Sequence, residues 1–195
     1  MAVSKKFSAA TVRIAYEAGL REFGENYVQE FAAKQPSLAD LVDARFHFIG
    51  HLQSNKARVA ATLFGVIHAV DSPKLIERLD SAAGELGKRL DLLVEVKLSA
   101  EESKTGAEPS AIPQILEAAA GCGNVSVVGL MTMPPWSKEA ENSRPYFQRL
   151  AALARAHHLT HLSMGMSNDF EVAIDEGATI IRVGTALFGP RPRPV

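Results

Sequence analysis

Two kinds of segment alternate along the whole chain. Short apolar or β-branched runs are followed by longer segments whose apolar residues recur at helical spacing. The runs predict strands over residues 2–4, 21–24, 46–50, 66–70, 92–96, 125–131, 162–166 and 180–183. The intervening segments predict helices over residues 9–20, 27–34, 55–64, 73–86, 111–120, 139–157 and 168–176. Strands that alternate with helices in this way pair in parallel, with the helices packed outside the sheet.

Two architectures satisfy this order of elements, a closed eight-stranded barrel and an open doubly wound sheet. The strand count favours the barrel, although about 250 residues is typical of that fold and this chain has 195. An open sheet that binds a dinucleotide carries a GxGxxG motif after an early strand, and this sequence has none. We therefore predict an α/β fold, a single-domain (β/α)8 TIM barrel over residues 1–195.

Charge and cysteine content exclude several classes of function. Lys and Arg together number 21 against 22 Asp and Glu, so there is no basic excess for nucleic acid or anionic membranes. The single cysteine, Cys122, cannot form an internal disulfide. The first residues lack the apolar stretch of a signal peptide, and no apolar run is long enough to span a membrane. We expect a cytoplasmic protein that binds neither nucleic acid nor membrane.

Functional groups collect at the predicted carboxyl ends of the strands, where barrel enzymes place their active sites. Ser167 follows the seventh strand, and Gly184 with Thr185 follows the eighth. Phosphate sites formed by the loops after these two strands recur in barrels, since free backbone N–H groups and hydroxyls meet there. Taken singly, Ser167 is better explained as a helix cap and Gly184 as a turn, but together they favour a phosphate site.

Lys5 at the end of the first strand could be an amine that forms a Schiff base, because a partly desolvated lysine loses proton affinity and becomes nucleophilic. Lys6 beside it leaves the choice open. His47, His51 and His68 lie on strands, but their spacing is not that of a compact metal site, and we expect no metal. From the residues alone, the prediction is a phosphate-binding barrel.

Seven segments resemble, in family order, the YggS/PROSC family of pyridoxal 5′-phosphate (PLP)-binding proteins. They are AVSK at 2–5, FGENYVQE at 23–30, HFIGHLQSNK at 47–56, ESKTG at 102–106, GLMTM at 129–133, LSMGMSND at 162–169 and RVGTALFG at 182–189. The resemblance implies an alanine-racemase-type barrel that holds PLP as a Schiff base on Lys5, with Asn26 against the cofactor. It further implies that Ser167, Gly184 and Thr185 hold the phosphate and that Arg182 lies near the pyridine nitrogen.

The resemblance also implies a function, and the sequence differs from the family at one point. Family members have a helix ahead of the AVSK segment, where this sequence has only Met1, so we expect the barrel to lack the N-terminal outer helix. The implied role is a non-enzymatic one in vitamin B6 homeostasis, in which PLP is buffered or delivered to apo-PLP enzymes by a monomer or weak dimer. The alternative is a PLP-dependent amino-acid racemase, which needs a second proton donor that such barrels take from another domain.

Overall fold

Eight parallel strands in chain order form one sheet in the computed structural model, which describes residues 1–99 and 105–190. The strands are β1 Ala2–Val3, β2 Glu22–Glu25, β3 Arg45–Phe48, β4 Val66–Val70, β5 Leu90–Glu95, β6 Val125–Met131, β7 His161–Met166 and β8 Ile180–Arg182. The helices are α1 Ala9–Glu17, α2 Val28–Lys34, α3 Ala57–Leu63, α4 Pro73–Glu85, α5 Ile112–Ala120, α6 Arg144–Ala156, α7 Phe170–Asp175 and α8 Thr185–Phe188. Short 3₁₀ turns precede α3, α5 and α6 and follow α2.

The sheet closes on itself between its first and last strands. Ala2 pairs in parallel with Val183, the residue after β8. Val3 N–H donates to the carbonyl of Val183 at 2.8 Å, and Val183 N–H donates to the carbonyl of Met1 at 3.1 Å. The prediction of a (β/α)8 TIM barrel is therefore confirmed, and β1 begins directly behind Met1.

The structure departs from the predicted elements mainly after β7 and β8. The helix predicted over 168–176 begins at Phe170, because Asp169 N–H closes a turn onto the carbonyl of Met166 at 3.0 Å. Helix α8 was not predicted, since Thr185–Phe188 is too short to show helical periodicity. Most of the ESKTG segment at 102–106 lies outside the described residues, which omit 100–104.

Side chains alternate between two apolar regions along each strand. The main core lies between the strands and the outer helices, where Phe23, Phe48, Ile67 and Leu92 are almost fully buried. The inside of the barrel holds the smaller cluster of Val66, Leu93 and Met131. Buried polar side chains joined by hydrogen bonds also lie inside the barrel, among them His47, His68, Ser163 and Arg182. Within residues 1–99 and 105–190, no helix has the length and apolar character needed to cross a membrane.

Candidate functional site

A cavity of about 290 Å³ opens at the carboxyl ends of the strands. Its wall includes every site residue predicted from the sequence, namely Lys5, Asn26, Ser167, Arg182, Gly184 and Thr185. These residues come from the ends of β1, β2, β7 and β8, which closure of the barrel makes neighbours. The fold therefore brings the whole predicted set to one place.

The structure separates the two adjacent lysines. Lys5 is half-buried and lines the cavity. Lys6 is exposed, has a left-handed backbone with φ of 65°, and donates its N–H to Glu30 Oε1 at 2.6 Å. The left-handed turn at Lys6 directs the chain away from the strand end. Of the two amines, Lys5 is the one the fold brings to the cavity.

A buried ion pair supports the loop that carries Lys5. Lys34 Nζ donates to the carbonyls of Ser4 at 3.1 Å and Phe7 at 3.2 Å, and to Glu25 Oε1 at 2.7 Å. Ser4 Oγ donates to the same carboxylate oxygen at 2.8 Å. Burial raises the pKa of Glu25, while Lys34 and Ser4 oppose that rise. Sequence reasoning missed this support, because a lysine near the end of a helix is ordinarily a solvated residue.

Asn26 presents an unused acceptor. Its Oδ1 is buried and has no hydrogen-bond partner among residues 1–99 and 105–190. A buried carbonyl oxygen without a partner costs about 1–3 kcal/mol. Asn26 lines the cavity, so a ligand hydroxyl or amine there could supply the missing donor.

The loops after β7 and β8 are joined by one hydroxyl. Ser167 Oγ accepts hydrogen bonds from the backbone N–H groups of Gly184 and Ala186, each at 3.2 Å. The sequence also allowed Ser167 to be the cap of α7, but Asp169 occupies that position in the structure. Asp169 is buried, and its carboxylate accepts from Met166 N–H at 2.7 Å and from another hydroxyl, Ser143 Oγ, also at 2.7 Å. The two loops thus form a continuous polar wall.

Arg182 brings a buried positive charge to the cavity. Its Nη1 donates to Ser163 Oγ at 2.8 Å and its Nη2 donates to the carbonyl of Thr132 at 2.9 Å. Burial lowers the pKa of Arg182 to about 10, against the opposing fields of Glu95 and Asp169. The guanidinium therefore stays charged at neutral pH.

The outer rim of the cavity contains a residue that the sequence did not single out. Trp136 lines the cavity and is 81% exposed. It also lines a neighbouring cavity of about 540 Å³, together with Glu95 and Thr105. Burial raises the pKa of Glu95, and Thr105 Oγ1 donates to its Oε1 at 2.9 Å. Sequence reasoning missed Trp136, because a single tryptophan in a Pro-rich loop shows no periodicity that would place it in the fold.

Metal ligands are not grouped in the part of the chain that the structure describes. No cluster of three or more His, Cys, Asp or Glu side chains there could hold a metal ion. His47 and His68 instead bond to each other inside the barrel.

Comparison with known proteins gives a consistent result across sequence and structure. The chain matches the family "Alanine racemase, N-terminal domain" over residues 1–192. It is 45% identical over 193 residues to the pyridoxal phosphate homeostasis protein of Pseudomonas aeruginosa, a match that covers 98% of this chain and 84% of that protein. It is 43% identical over 197 residues to the protein of the same name from Aquifex aeolicus, which covers 98% of this chain and 86% of the relative.

Among solved structures, PipY of Synechococcus elongatus with PLP bound is similar to this fold with a TM-score of 0.89. The two sequences are 46% identical, and the match covers 97% of this chain and 91% of PipY.

Proposed function

The chain belongs to the alanine racemase N-terminal domain family, beside the pyridoxal phosphate homeostasis proteins, and from this premise we propose that it binds PLP. Its role is to buffer the cofactor or deliver it to apo-PLP enzymes, and residues 1–195 act as one PLP-binding domain. The observation that carries the proposal is the convergence of all six predicted binding residues on a single cavity.

The proposal assigns each residue of the cavity wall to one part of PLP. Lys5 Nζ condenses with the aldehyde of PLP, so that a carbon–nitrogen double bond forms and water leaves. The hydroxyls of Ser167 and Thr185 and the backbone at Gly184 hold the phosphate. Asn26 and Arg182 lie against the ring. Bound PLP supplies an electrophilic carbon that an incoming amine can capture.

The residues present fit such a ligand. Asn26 Oδ1 is a buried oxygen without a partner, and the amide of Asn26 offers one acceptor and two donors to the polar groups of PLP. The cavity volume of about 290 Å³ is close to the lower end of the range for small-molecule pockets, about 300–1,000 Å³. Arg182 adds a charge that does not give up its proton at neutral pH and so keeps a neighbouring ring nitrogen unprotonated. The ring is then a weaker electron sink than one paired with a carboxylate.

The cavity wall favours a carrier over a racemase. A two-base racemase needs a proton donor on each face of the cofactor. Among the described lining residues, the titratable side chains are Lys5, Asp169 and Arg182. Asp169 accepts two hydrogen bonds that fix its carboxylate, and Arg182 stays charged, so neither is suited to shuttle a proton. We therefore propose that the protein is not an enzyme.

The first experiment is the absorption spectrum of the purified protein with added PLP, followed by borohydride reduction and peptide mass mapping. We expect a Schiff-base band and a reduced adduct on Lys5, both absent in Lys5→Ala and both retained in Lys6→Ala. A band that survives in Lys5→Ala, or an adduct mapped to another amine, would contradict the assignment. Absence of any band in the wild type would contradict PLP binding itself.

A second experiment separates delivery from catalysis. The loaded protein is mixed with an apo-PLP enzyme, and recovery of that enzyme is compared with recovery in the same concentration of free PLP. Delivery predicts faster recovery than free PLP gives. Conversion of L-alanine to D-alanine by the loaded protein would instead favour the racemase.

A further inference from the structure

A line of hydrogen-bonded polar side chains crosses the inside of the barrel and ends at the candidate site. His47 Nδ1 lies 2.9 Å from His68 Nε2, and His68 Nδ1 lies 2.9 Å from Ser163 Oγ. Ser163 Oγ accepts from Arg182 Nη1 at 2.8 Å. At the other end, His47 Nε2 is bonded to the carboxylate of Glu22. We call these five residues the polar file.

The polar file joins two cavities at opposite ends of the barrel. Glu22 and His47 line a cavity of about 440 Å³ at the amino ends of the strands. Arg182 lines the candidate site at the carboxyl ends. Between them, His68 and Ser163 have no exposed surface. Burying a polar group costs free energy unless all its hydrogen bonds are made. Apolar side chains fill other parts of the barrel interior without this cost.

The chemistry of the two ends gives every hydrogen bond in the file one direction. An ionised Glu22 can only accept, so His47 carries hydrogen on Nε2 and, when neutral, accepts at Nδ1. His68 must then donate from Nε2 and accept at Nδ1. The hydroxyl hydrogen of Ser163 therefore points to His68, which leaves a lone pair on Oγ for the Arg182 guanidinium. Each bond donates toward Glu22, from the cation at the top to the carboxylate at the bottom.

Burial keeps both histidines in the neutral state that this direction requires. Desolvation lowers the pKa of His47, against the opposing field of Glu22, and it lowers the pKa of His68 well below its usual value. The charged and titratable groups that act on the pair from the surrounding elements are Glu22, Arg45, His161, Arg182 and the amino terminus. Most of these groups disfavour a second positive charge, so at neutral pH the file holds one cation at Arg182.

We propose that His47 and His68 are positioning residues for Arg182, holding the Ser163 hydroxyl so that it presents a fixed acceptor to the guanidinium. The carbonyl of Thr132 is the second fixed acceptor, and the two together set the orientation of Arg182 in the cavity wall. The consequence for the cofactor rests on the proposed function, since it concerns the contact of Arg182 with the ring of PLP.

Uptake of one proton reverses the two middle bonds of the file, His47–His68 and His68–Ser163. In the resulting state His47 carries hydrogen on both ring nitrogens and is the cation beside Glu22, while neutral His68 carries its hydrogen on Nδ1. His68 then donates to Ser163 Oγ, which receives two donors and must turn its own hydrogen away. The acceptor offered to Arg182 is weakened, although the added charge lies on His47 at the opposite end of the file.

The hydrogen positions can be tested in the ligand-free protein, independently of PLP. In uniformly ¹⁵N-labelled protein at about pH 7.5, nitrogen correlations to the ring carbon-bound hydrogens identify the tautomer of each histidine. We expect the Nε2–H tautomer for both His47 and His68, assigned by comparison with His47→Gln and His68→Phe. An Nδ1–H tautomer or an imidazolium at either residue would overturn the proposed direction.

The effect on the site is tested with Ser163→Ala and His68→Phe, which interrupt the file at two points. We expect each to weaken PLP binding about tenfold, the loss of one hydrogen bond to a charged group. We also expect each to make the bound-PLP absorption band change with pH near neutrality, where the histidines of the wild-type file stay neutral and the wild-type band is constant. Ser163→Thr keeps the hydroxyl and should restore both properties. His158→Asn, at an exposed histidine that does not act on the file, should match the wild type.

The outcomes distinguish this inference from the proposed function. If wild-type protein shows no PLP band, the proposed function fails, and the tautomers alone decide whether the file has the stated direction. If Ser163→Ala and His68→Phe bind PLP with wild-type affinity and an unchanged pH response, the positioning role is wrong. Because Ser163→Ala removes one oxygen atom, it keeps the test available even if His68→Phe does not fold.

Discussion

Asn26 combines a buried, unpartnered oxygen with a place in the cavity wall. An Asn26→Leu substitution removes that oxygen at similar volume, so the free energy of unfolding should stay within about 1 kcal/mol of wild type. The affinity for PLP should fall about tenfold, because the ligand loses its acceptor. Urea unfolding and a spectral PLP titration measure the two effects. Stability lost without a change in affinity would mean that Asn26 serves only the fold.

Lys34 is the residue whose loss should most disturb the Lys5 loop. Its side chain is 10% exposed and pairs with the fully buried Glu25. Lys34→Met leaves that carboxylate uncompensated, and breaking a buried pair in this way typically costs about 3–5 kcal/mol. The double variant Lys34→Met with Glu25→Gln removes the stranded charge and should recover much of that loss. Equal urea midpoints for the single and double variants would show that the charge is not the cause.

At the scale of elements, two close backbone contacts provide a matched pair of substitutions. A Cβ at Gly50, after β3, would lie 2.2 Å from the carbonyl oxygen of Asn26, and a Cβ at Gly129 in β6 would lie 2.2 Å from the carbonyl oxygen of His161. Both Gly→Ala variants should lower the free energy of unfolding by about 1–3 kcal/mol, since the backbone must shift. Only Gly50→Ala should also weaken PLP binding, because the contact displaces Asn26. Equal affinities in the two variants would contradict this link.

The order and type of the elements were predictable because hydrophobic periodicity is a local property. Strands β4 and β6 match their predicted bounds, and α1 begins at its predicted first residue, Ala9, where Ser8 Oγ accepts from Thr11 N–H at 3.2 Å. Boundaries shifted where turn chemistry competed, as at Asp169 before α7. Helix α8 was missed, because four residues cannot display a period of 3.6.

The phosphate-site residues Ser167, Gly184 and Thr185 were predicted for a different reason. Closure of a parallel barrel places all carboxyl strand ends on one rim, so positions in the sequence determine neighbours in space. The choice of Lys5 over Lys6, and the roles of Asn26 and Arg182, came from the family resemblance alone. The contacts among inward-facing side chains could not be predicted in this way. The bond from His68 to Ser163 spans 95 residues and depends on register and rotamers that no local pattern encodes.

At the scale of the whole molecule, buried titratable groups make stability depend on pH. The pKa values of His47 and His68 lie below the usual 6.5 in the folded state, so the unfolded chain binds more protons between the folded pKa and 6.5. The contribution of these histidines to the free energy of unfolding is therefore fully present above pH 6.5. It decreases as pH falls below 6.5, by up to about 1.4 kcal/mol per pH unit for each histidine. Glu25 and Glu95 act with the opposite sign, because burial raises their pKa above 4.5.

Urea unfolding between about pH 5.5 and 7.5 measures this dependence. Because His68→Phe leaves His47 and the carboxylates in place, the difference between its pH profile and that of the wild type reports the contribution of His68. The wild type should lose more stability than the variant as the solution is acidified. His158→Asn should follow the wild type, because His158 is exposed and does not act on His47 or His68. Parallel profiles for wild type and His68→Phe would show that His68 does not titrate with unfolding.

Trp136, at the rim of the cavity, is the one tryptophan in the chain. Its indole emits in the near ultraviolet, where the chromophore of a PLP imine absorbs. Energy transfer over such a short distance would quench the emission when the cavity fills and restore it when the cavity empties. The protein thus carries a built-in optical reporter, and stopped-flow fluorescence could follow arrival and departure of the cofactor in real time without any label.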